Sequence, residues 1–382
     1  SVNYDTGGPG SAIGFDPSHI ALRDIRMGID SVMYYGRDMN AVIREFSMYE
    51  RSGLSVTSLT GRLFADSTVI RIPSLKLLTP HSEMNFTAQT YWELINIPTT
   101  GRLTARFNAR IGKQDVLLFA GGLPETFKEA YPFRPLVIHA GTEGNLKQMQ
   151  ISRFTAELPG AFSLNGGGEF WNLTDSVKRN GNMDFEMHTQ NLNFLTGLAD
   201  IAPDGSIIVP DSMHLAARVG MEGTQCTAAL KLLEKEGVLN LDAAYNLATE
   251  AYHADLAINN LQVHHFLPKD SIYTLTAKMS AKGQGVDVAS RKTVAALNAS
   301  LEKLQYGHWD ISGVEAHAGL KSSVATVRLA SDNVLLKMQG NADMRLDRSY
   351  LDGALDLNVE EVNLHKLGLV PRPLKHPFAF TM

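Results

Sequence analysis

Apolar and polar residues alternate along most of this chain, one for one. Leu103, Ala105, Phe107, Ala109 and Ile111 fall on one side of an extended backbone, with Thr104, Arg106, Asn108 and Arg110 on the other. The same period carries Met183, Phe185 and Met187 against Asp184, Glu186 and His188. It returns in Leu215, Ala217 and Val219, in Leu256 and Ile258, and in Tyr273, Leu275, Ala277 and Met279. Near the end it returns in Val334, Leu336 and Met338, and in Leu355, Leu357 and Val359. Period two is the signature of a strand with one apolar and one polar face. Strands buried on both sides read as continuous apolar runs, so these predict antiparallel pairing.

Turn signals punctuate the strands: Arg51-Ser52-Gly53, Thr99-Thr100-Gly101, Asn165-Gly166-Gly167-Gly168, Arg179-Asn180-Gly181, Glu234-Lys235-Glu236-Gly237 and Ser331-Asp332-Asn333. The predicted architecture is a long meander of hairpins. Four strands end in a change of period. After Met187 the alternation breaks at Asn191, and Leu192, Leu195 and Leu198 recur every three residues, as in a short helix. Comparable tails close Arg106 to Phe119, Ala254 to Leu267 and Leu355 to Leu369. Their spacing, roughly 70, 70 and 100 residues, points to internal repetition. A short helix is also predicted over Thr126 to Ala130. Val294, Leu297, Leu301 and Leu304 before Gly307 fit a helix by spacing and local propensity. The surrounding meander favours a strand there, and a strand is the expectation.

Residues 1–14, with Gly7, Gly8, Pro9 and Gly10, predict a flexible end, and 15–382 one repeat-built segment. The chain begins without Met and stops inside His-Pro-Phe-Ala-Phe-Thr-Met, which reads as an unfinished strand of a longer protein. No run reaches the ~18 apolar residues of a membrane-spanning helix.

Composition narrows the function. With 44% hydrophobic and 20% charged residues the chain is neither a disordered tail nor a channel. A net charge of −5, with both signs mixed throughout, leaves no phosphate-binding stripe, so nucleic acid is not an expected partner. The single cysteine, Cys226, forbids an internal disulfide and reads as a small buried apolar residue. The 12 histidines, His264-His265 included, show no His-Glu-x-x-His spacing, and no metal or cofactor is expected. Gly8, Gly10 and Gly14 lack the spacing and the preceding strand of a nucleotide loop. The neighbouring carboxylates Glu234 with Glu236 and Glu360 with Glu361 sit at an apparent hairpin turn and a strand end, where solvation accounts for them. No nucleophile elbow or triad appears, and no enzyme is expected.

Asp-Ser followed by an aliphatic residue or Thr occurs five times, at Ser31, Ser67, Ser176, Ser212 and Ser271. Composition alone gives about one or two such triplets. Each Asp can cap a turn before a strand. The alternative is an acceptor site for the general O-glycosylation of periplasmic proteins in Bacteroidota, which uses a similar motif.

Glu50 to Gly61, Glu-Arg-Ser-Gly-Leu-Ser-Val-Thr-Ser-Leu-Thr-Gly, followed by Ile72 to Glu83, Ile-Pro-Ser-Leu-Lys-Leu-Leu-Thr-Pro-His-Ser-Glu, resembles the large TamB proteins of Bacteroidota (translocation and assembly module, AsmA-like group). Pro132 to Ile138 with Gly141 and Gly144-Asn145-Leu146, and Leu364 to Phe380, are similar to their repeat junctions. The likeness is one of pattern over most of the chain. It implies a periplasmic, elongated antiparallel sheet curled into a hydrophobic groove, a β-taco, in a parent protein anchored in the inner membrane by a helix outside this sequence. It implies a lipid partner, phospholipid above all, and an outer-membrane barrel assembly partner engaged through regions not included here.

The expected fold is thus all-β with a few short helices. The expected groove lining is Leu103, Phe107, Ile111, Met183, Phe185, Met187, Leu215, Val219, Leu256, Ile258, Leu275, Met279, Val334, Leu336, Leu355, Leu357 and Val359. Two functions fit: a bridge segment shielding acyl chains, or a structural repeat scaffold with a closed core. A carbohydrate-active β-solenoid needs acidic residues clustered on one polar face, and the linear sequence shows none. If the Asp-Ser triplets are glycosylated, intact-mass analysis of protein from its native host will exceed the sequence mass by several hexose-type increments.

Overall fold

Strand follows strand, and every described pairing is antiparallel, most between neighbours in sequence. The computed structural model describes residues 1–7, 14–199, 205–288, 290–346, 351–367, 370–372, 374 and 378–382. The chain divides into two compact units, Ser1–Asp204 with Val209–Ser212, and Gly205–Ile208 with Met213–Met382.

The first unit runs β1 (Val2–Asp5), β2 (His19–Tyr35), β3 (Asp38–Glu50), β4 (Ser55–Val56), β5 (Ser58–Ala65), β6 (Val69–Leu78) and β7 (Glu83–Tyr91). Helix α1 (Trp92–Asn96) leads to β8 (Leu103–Ile111), helices α2 (Lys113–Phe119) and α3 (Glu125–Ala130), and β9 (Leu136–Gly144). Then come β10 (Gln148–Leu158), β11 (Phe162–Trp171), β12 (Asn180–Thr189) and a 3₁₀ turn, Asn193–Ala199. Val2–Asp5, expected to be flexible, pairs with His19–Leu22 of β2. Backbone pairing needs no pattern of side chains, which is why alternation did not reveal it.

The second unit contains β13 (His214–Glu222), β14 (Gln225–Glu234), β15 (Gly237–Asn246), β16 (Ala251–Gln262), a 3₁₀ turn at Val263–His265, and β17 (Ile272–Gln284). It continues through β18 (Val294–Tyr306), β19 (Trp309–Ile311), β20 (Val314–Lys321), β21 (Val324–Asp332), β22 (Leu336–Leu346), β23 (Leu351–Val362) and β24 (Phe378–Thr381).

Residues 294–306 are a strand, and the reason for their helical look is visible in the register. Ala277 opposes Leu301 and Thr276 opposes Lys303, so Glu302 is an extra residue, a β-bulge. The bulge sets Leu301 and Leu304 three apart yet leaves both opposite apolar partners, Ala277 and Leu275. A bulged strand imitates one turn of helix in its spacing.

Asn165-Gly166-Gly167-Gly168 is not a turn but lies within β11. A Cβ on Gly166 would come within 2.9 Å of the Phe185 ring, and one on Gly168 within 2.2 Å of the Asn182 carbonyl oxygen. Glycine is required because β12 and its large side chains press onto β11.

Of the four helical tails, the first two form real caps. Phe127 and Tyr131, from and just after α3, and Phe194 of the 3₁₀ turn interlock at centroid distances of 5.5–5.8 Å. Together with Leu158, Ala161 and Leu192 they make the one cluster of fully buried residues in this unit's described part, with Leu136, Phe162 and Met187 packed against it. Thr126 Oγ1 donates to the Gly197 carbonyl at 3.0 Å, and Lys113 Nζ donates to the Tyr131 carbonyl at 2.7 Å. Burial pushes the Tyr131 hydroxyl above the usual tyrosine range. The third tail is only Val263–His265, and the fourth closes a turn from Asn363 to Leu367, its last residues lying outside those described.

Buried carboxylates hold two of the corners in this unit. Asp115, in the first turn of α2, accepts hydrogen bonds from Thr79 Oγ1 at 2.5 Å and from Ser82 Oγ, which in turn accepts from the Gly112 N–H. Glu50 is 2% exposed and accepts from the N–H groups of Ala21 at 3.1 Å and Ser52 at 2.6 Å. Burial by itself raises the Glu50 carboxyl, but the hydrogen bonds from Ser52, Ala21 and Arg51 outweigh it and hold the group below the usual glutamate range. A group depressed in the folded state stabilises it above the ordinary glutamate pKa, and that contribution is lost as the pH falls through the folded value. Glu50→Gln is expected to cost ~1–2 kcal/mol at neutral pH. It should also flatten the acid arm of a melting-temperature profile between about pH 5 and 3, measured by thermal denaturation.

Candidate functional site

The antiparallel register gathers the alternating apolar residues onto one face in each unit. In the first, Phe86, Phe107, Ala140, Phe154, Gly166 and Phe185 oppose one another strand by strand from β7 to β12. The next row is Ala88, Ala105, Thr142, Ile151, Gly168 and Met183. Leu103, Phe107 and Ile111 of β8 thus share a face with Met183, Phe185 and Met187 of β12, as the alternation requires. Small residues beside large ones leave a hollow of about 390 Å³ bounded by Phe86, Phe107, Met149, Ile151, Phe154 and Met183. These side chains are half-buried rather than closed in a core. The α2–α3 cap packs on Met187, Leu136 and Phe162 and so covers the end of this face beside the hollow.

In the second unit one row crosses from β13 to β23 as Val219, Ala228, Ala243, Ala254, Ala281, Leu297, Ala318, Val327, Ala342 and Leu355. Alanine predominates, so the row is a furrow. Beside it run larger groups, among them Leu230, Leu241, Leu256, Met279, Leu329 and Leu357. Beyond them lie Leu215, Leu232, Leu239, Ile258, Leu301, Met338 and Val359. A hollow of about 210 Å³ lies among Leu256, Ile258, Met279 and Leu301. Val219 is 47% exposed, Met279 40% and Leu355 58%. Fully buried apolar residues here are few: Met213, Ala244, Leu335 and Val359 among those described. A filled core would bury the whole set. Large uncovered apolar areas of this kind mark sites of interaction.

Leu275 and Leu336 join this face through register with Leu304 and Val362. Val334 does not. It sits in a bend before β22 and is 58% exposed, while its neighbour Leu335 is buried. The Asn333 side chain accepts from the Leu335 N–H at 2.8 Å, a turn after which the alternation starts two residues later than the sequence indicates. Phe86, Met149, Ile151 and Phe154 are lining residues that the alternation did not nominate. Ile151 and Phe154 flank a bulge at Ser152-Arg153, which hides them from a strict period of two.

Of the Asp-Ser triplets, two form the capping turn. Asp66 Oδ1 accepts from the Thr68 and Val69 N–H groups at 2.8 and 2.9 Å, and Asp175 Oδ1 from those of Val177 and Lys178 at 2.9 and 3.0 Å. These hydrogen bonds hold both carboxyls below the usual aspartate range. Ser67, Ser176, Ser212 and Ser271 are exposed. Asp30-Ser31 is no turn; it lies within β2, where Asp30 Oδ2 accepts from Arg44 Nε at 2.7 Å.

Glu234 is not the solvated turn carboxylate expected from sequence. It is 1% exposed, and its Oε1 lies 2.7 Å from His265 Nδ1, whose Nε2 is 3.3 Å from Lys235 Nζ. Oε2 has no partner. The pair pins the Val263–His265 turn to the β14–β15 hairpin, so this third tail is a corner. The hairpin places Lys235 and Glu236 outside and folds Glu234 inward, a distinction that linear spacing does not carry.

These features define a class: an antiparallel β protein in each of whose two units one sheet face is apolar and largely uncovered. No helix among the described residues is long and apolar enough to cross a membrane. Comparison with protein-family models, with curated proteins and with solved structures finds no match.

Removing His265 leaves a buried carboxylate without its partner, so His265→Ala is expected to lower the unfolding free energy by ~1–3 kcal/mol. Glu234→Gln, which removes the charge itself, should cost less. Urea denaturation of both variants and their combination measures the coupling.

Proposed function

We propose that the chain shields lipid acyl chains along its apolar face, as one segment of a bridge-like path for phospholipid across the periplasm. The observation that carries this reading is the exposure of Val219, Met279 and Leu355 on a continuous apolar surface beside an alanine furrow. Each acyl methylene laid against such a surface gains ~0.8 kcal/mol by leaving water. The rows run perpendicular to the strands, so contacts repeat at the strand spacing of ~4.8 Å. A chain can slide along repeated, similar contacts without meeting a deep trap. Methionines 149, 183 and 279 adapt to irregular lipid shapes better than branched residues do. The TamB resemblance in residues 50–83 supports the same reading. It also supplies the finer picture of a curled, β-taco groove and a role in outer-membrane biogenesis.

The second reading, a structural scaffold with a closed core aiding barrel assembly, draws on the aromatic cap of the first unit. The two readings differ in what travels with the protein. Under the lipid reading, native mass spectrometry after mild purification finds co-purified phospholipid, and a fluorescent fatty acid binds. Phe107→Asp and Met279→Asp reduce that binding about tenfold or more, the equivalent of ~1.4 kcal/mol. Because Met279 is already 40% exposed, its variant should remain folded. Lipid-free protein that also fails to bind the fatty acid would sink the transport reading.

A further inference from the structure

The polar side of the second unit plays no part in the lipid reading, yet it too is hollowed. Across β15, β16, β17, β18 and β20, Asp242, Asp255, Ser280, Asn298 and His317 stand opposite one another. The row beside it is Asn240, Ala257, Lys278, Ser300 and Glu315. Both rows line an open surface hollow of about 430 Å³ whose charged side chains are exposed. Ala257, Ser280 and Ser300 are short, so the middle is low, while longer side chains stand around it.

Some of these groups are already engaged. Asn298 Nδ2 donates to Ser280 Oγ at 3.3 Å, His317 Nδ1 lies 2.8 Å from Asn298 Oδ1, and Lys278 Nζ donates to Glu302 at 2.5 Å. Others are not: among the described residues, Asp242, Asp255, Asn240 and Ser300 have no side-chain partner. Asp242 and Asp255 are a directly opposed pair of like charge, an arrangement that destabilises a bare sheet. A ligand that donates hydrogen bonds to both relieves it.

The chemistry of the set narrows the ligand. Carboxylates only accept, a primary amide both donates and accepts, and a serine hydroxyl does the same. That mixture suits adjacent hydroxyl groups, each donor and acceptor at once. The carboxylates and imidazole do not converge as three ligands on one point, as a metal ion requires. Three carboxylates on the rim repel phosphate. The hollow crosses several strands at ~4.8 Å each, so it is longer than one sugar ring.

We propose that this hollow binds a short oligosaccharide. The binding is independent of the apolar face. It is tested by saturation-transfer NMR on the whole chain with cellohexaose, maltohexaose and chitohexaose as probes. The expected result is transfer to the ring protons of at least one of them, reduced about tenfold in Asp242→Ala/Asp255→Ala. That double variant removes a repulsion, so its melting temperature should equal or exceed that of the parent chain, which separates lost binding from lost fold. Absence of transfer from all three probes to the parent chain overturns the proposal, as does transfer undiminished in the double variant. Binding of calcium or spermidine at Asp242 and Asp255, with none of the sugars, overturns it in favour of a cation site.

Discussion

A sheet with one apolar and one polar face has to keep every apolar side chain on the same side, and this constraint governs the chain. The pleat enforces a period of two, so any inserted residue would throw the rest of a strand onto the wrong face. The bulges absorb this without loss. Ile72 and Leu75 enclose Pro73-Ser74, Ile151 and Phe154 enclose Ser152-Arg153, and Ile258 and Leu261 enclose Asn259-Asn260. Leu301 and Leu304 enclose Glu302-Lys303, and Val359 and Val362 enclose Glu360-Glu361. In each case two polar residues, or a proline and a serine, fill the irregularity and the apolar pair stays in register. Proline belongs at such a place because a bulge removes the need for its missing N–H.

The same face is treated differently in the two units. In the first, large side chains stand beside glycines and alanines across the rows, so the sheet is deep at the small residues and walled by Phe107, Phe154 and Phe185. A helical cap closes one end with its own aromatic core. In the second, alanines replace that relief with a shallow furrow, and the described caps are turns rather than helices. Under the proposed lipid reading, depth with a closed end suits retention of an apolar chain, whereas a shallow open furrow suits passage.

Among the described residues, the buried charged side chains are Glu50, Asp115 and Glu234. Glu50 and Glu234 end strands and Asp115 opens the helix after one, and each accepts hydrogen bonds from, or lies against, a turn or loop packed beside it. Buried carboxylates cost stability unless so occupied. Their value here is positional: they fix the hairpins and caps that the uncovered apolar faces cannot fix by packing.

Alternation alone determined the β character of the chain, its antiparallel pairing and which residues of β8, β12, β13, β16 and β23 share a face, because the pleat converts spacing directly into side. Tail spacing likewise disclosed the caps of Arg106 to Phe119 and Met183 to Leu198. What the sequence could not contain was the register between strands. Register made the Gly166–Gly168 run a strand under Phe185 rather than a turn, and brought Ile151 and Phe154 to the apolar hollow across a bulge. It also set Asp242 against Asp255, 13 positions apart in the chain, where linear reading found no acidic cluster. The inward turn of Glu234 and the division into two units belong to the same category. Each depends on which backbone lies opposite which, and that choice is made by tertiary pairing rather than by any local pattern of residues.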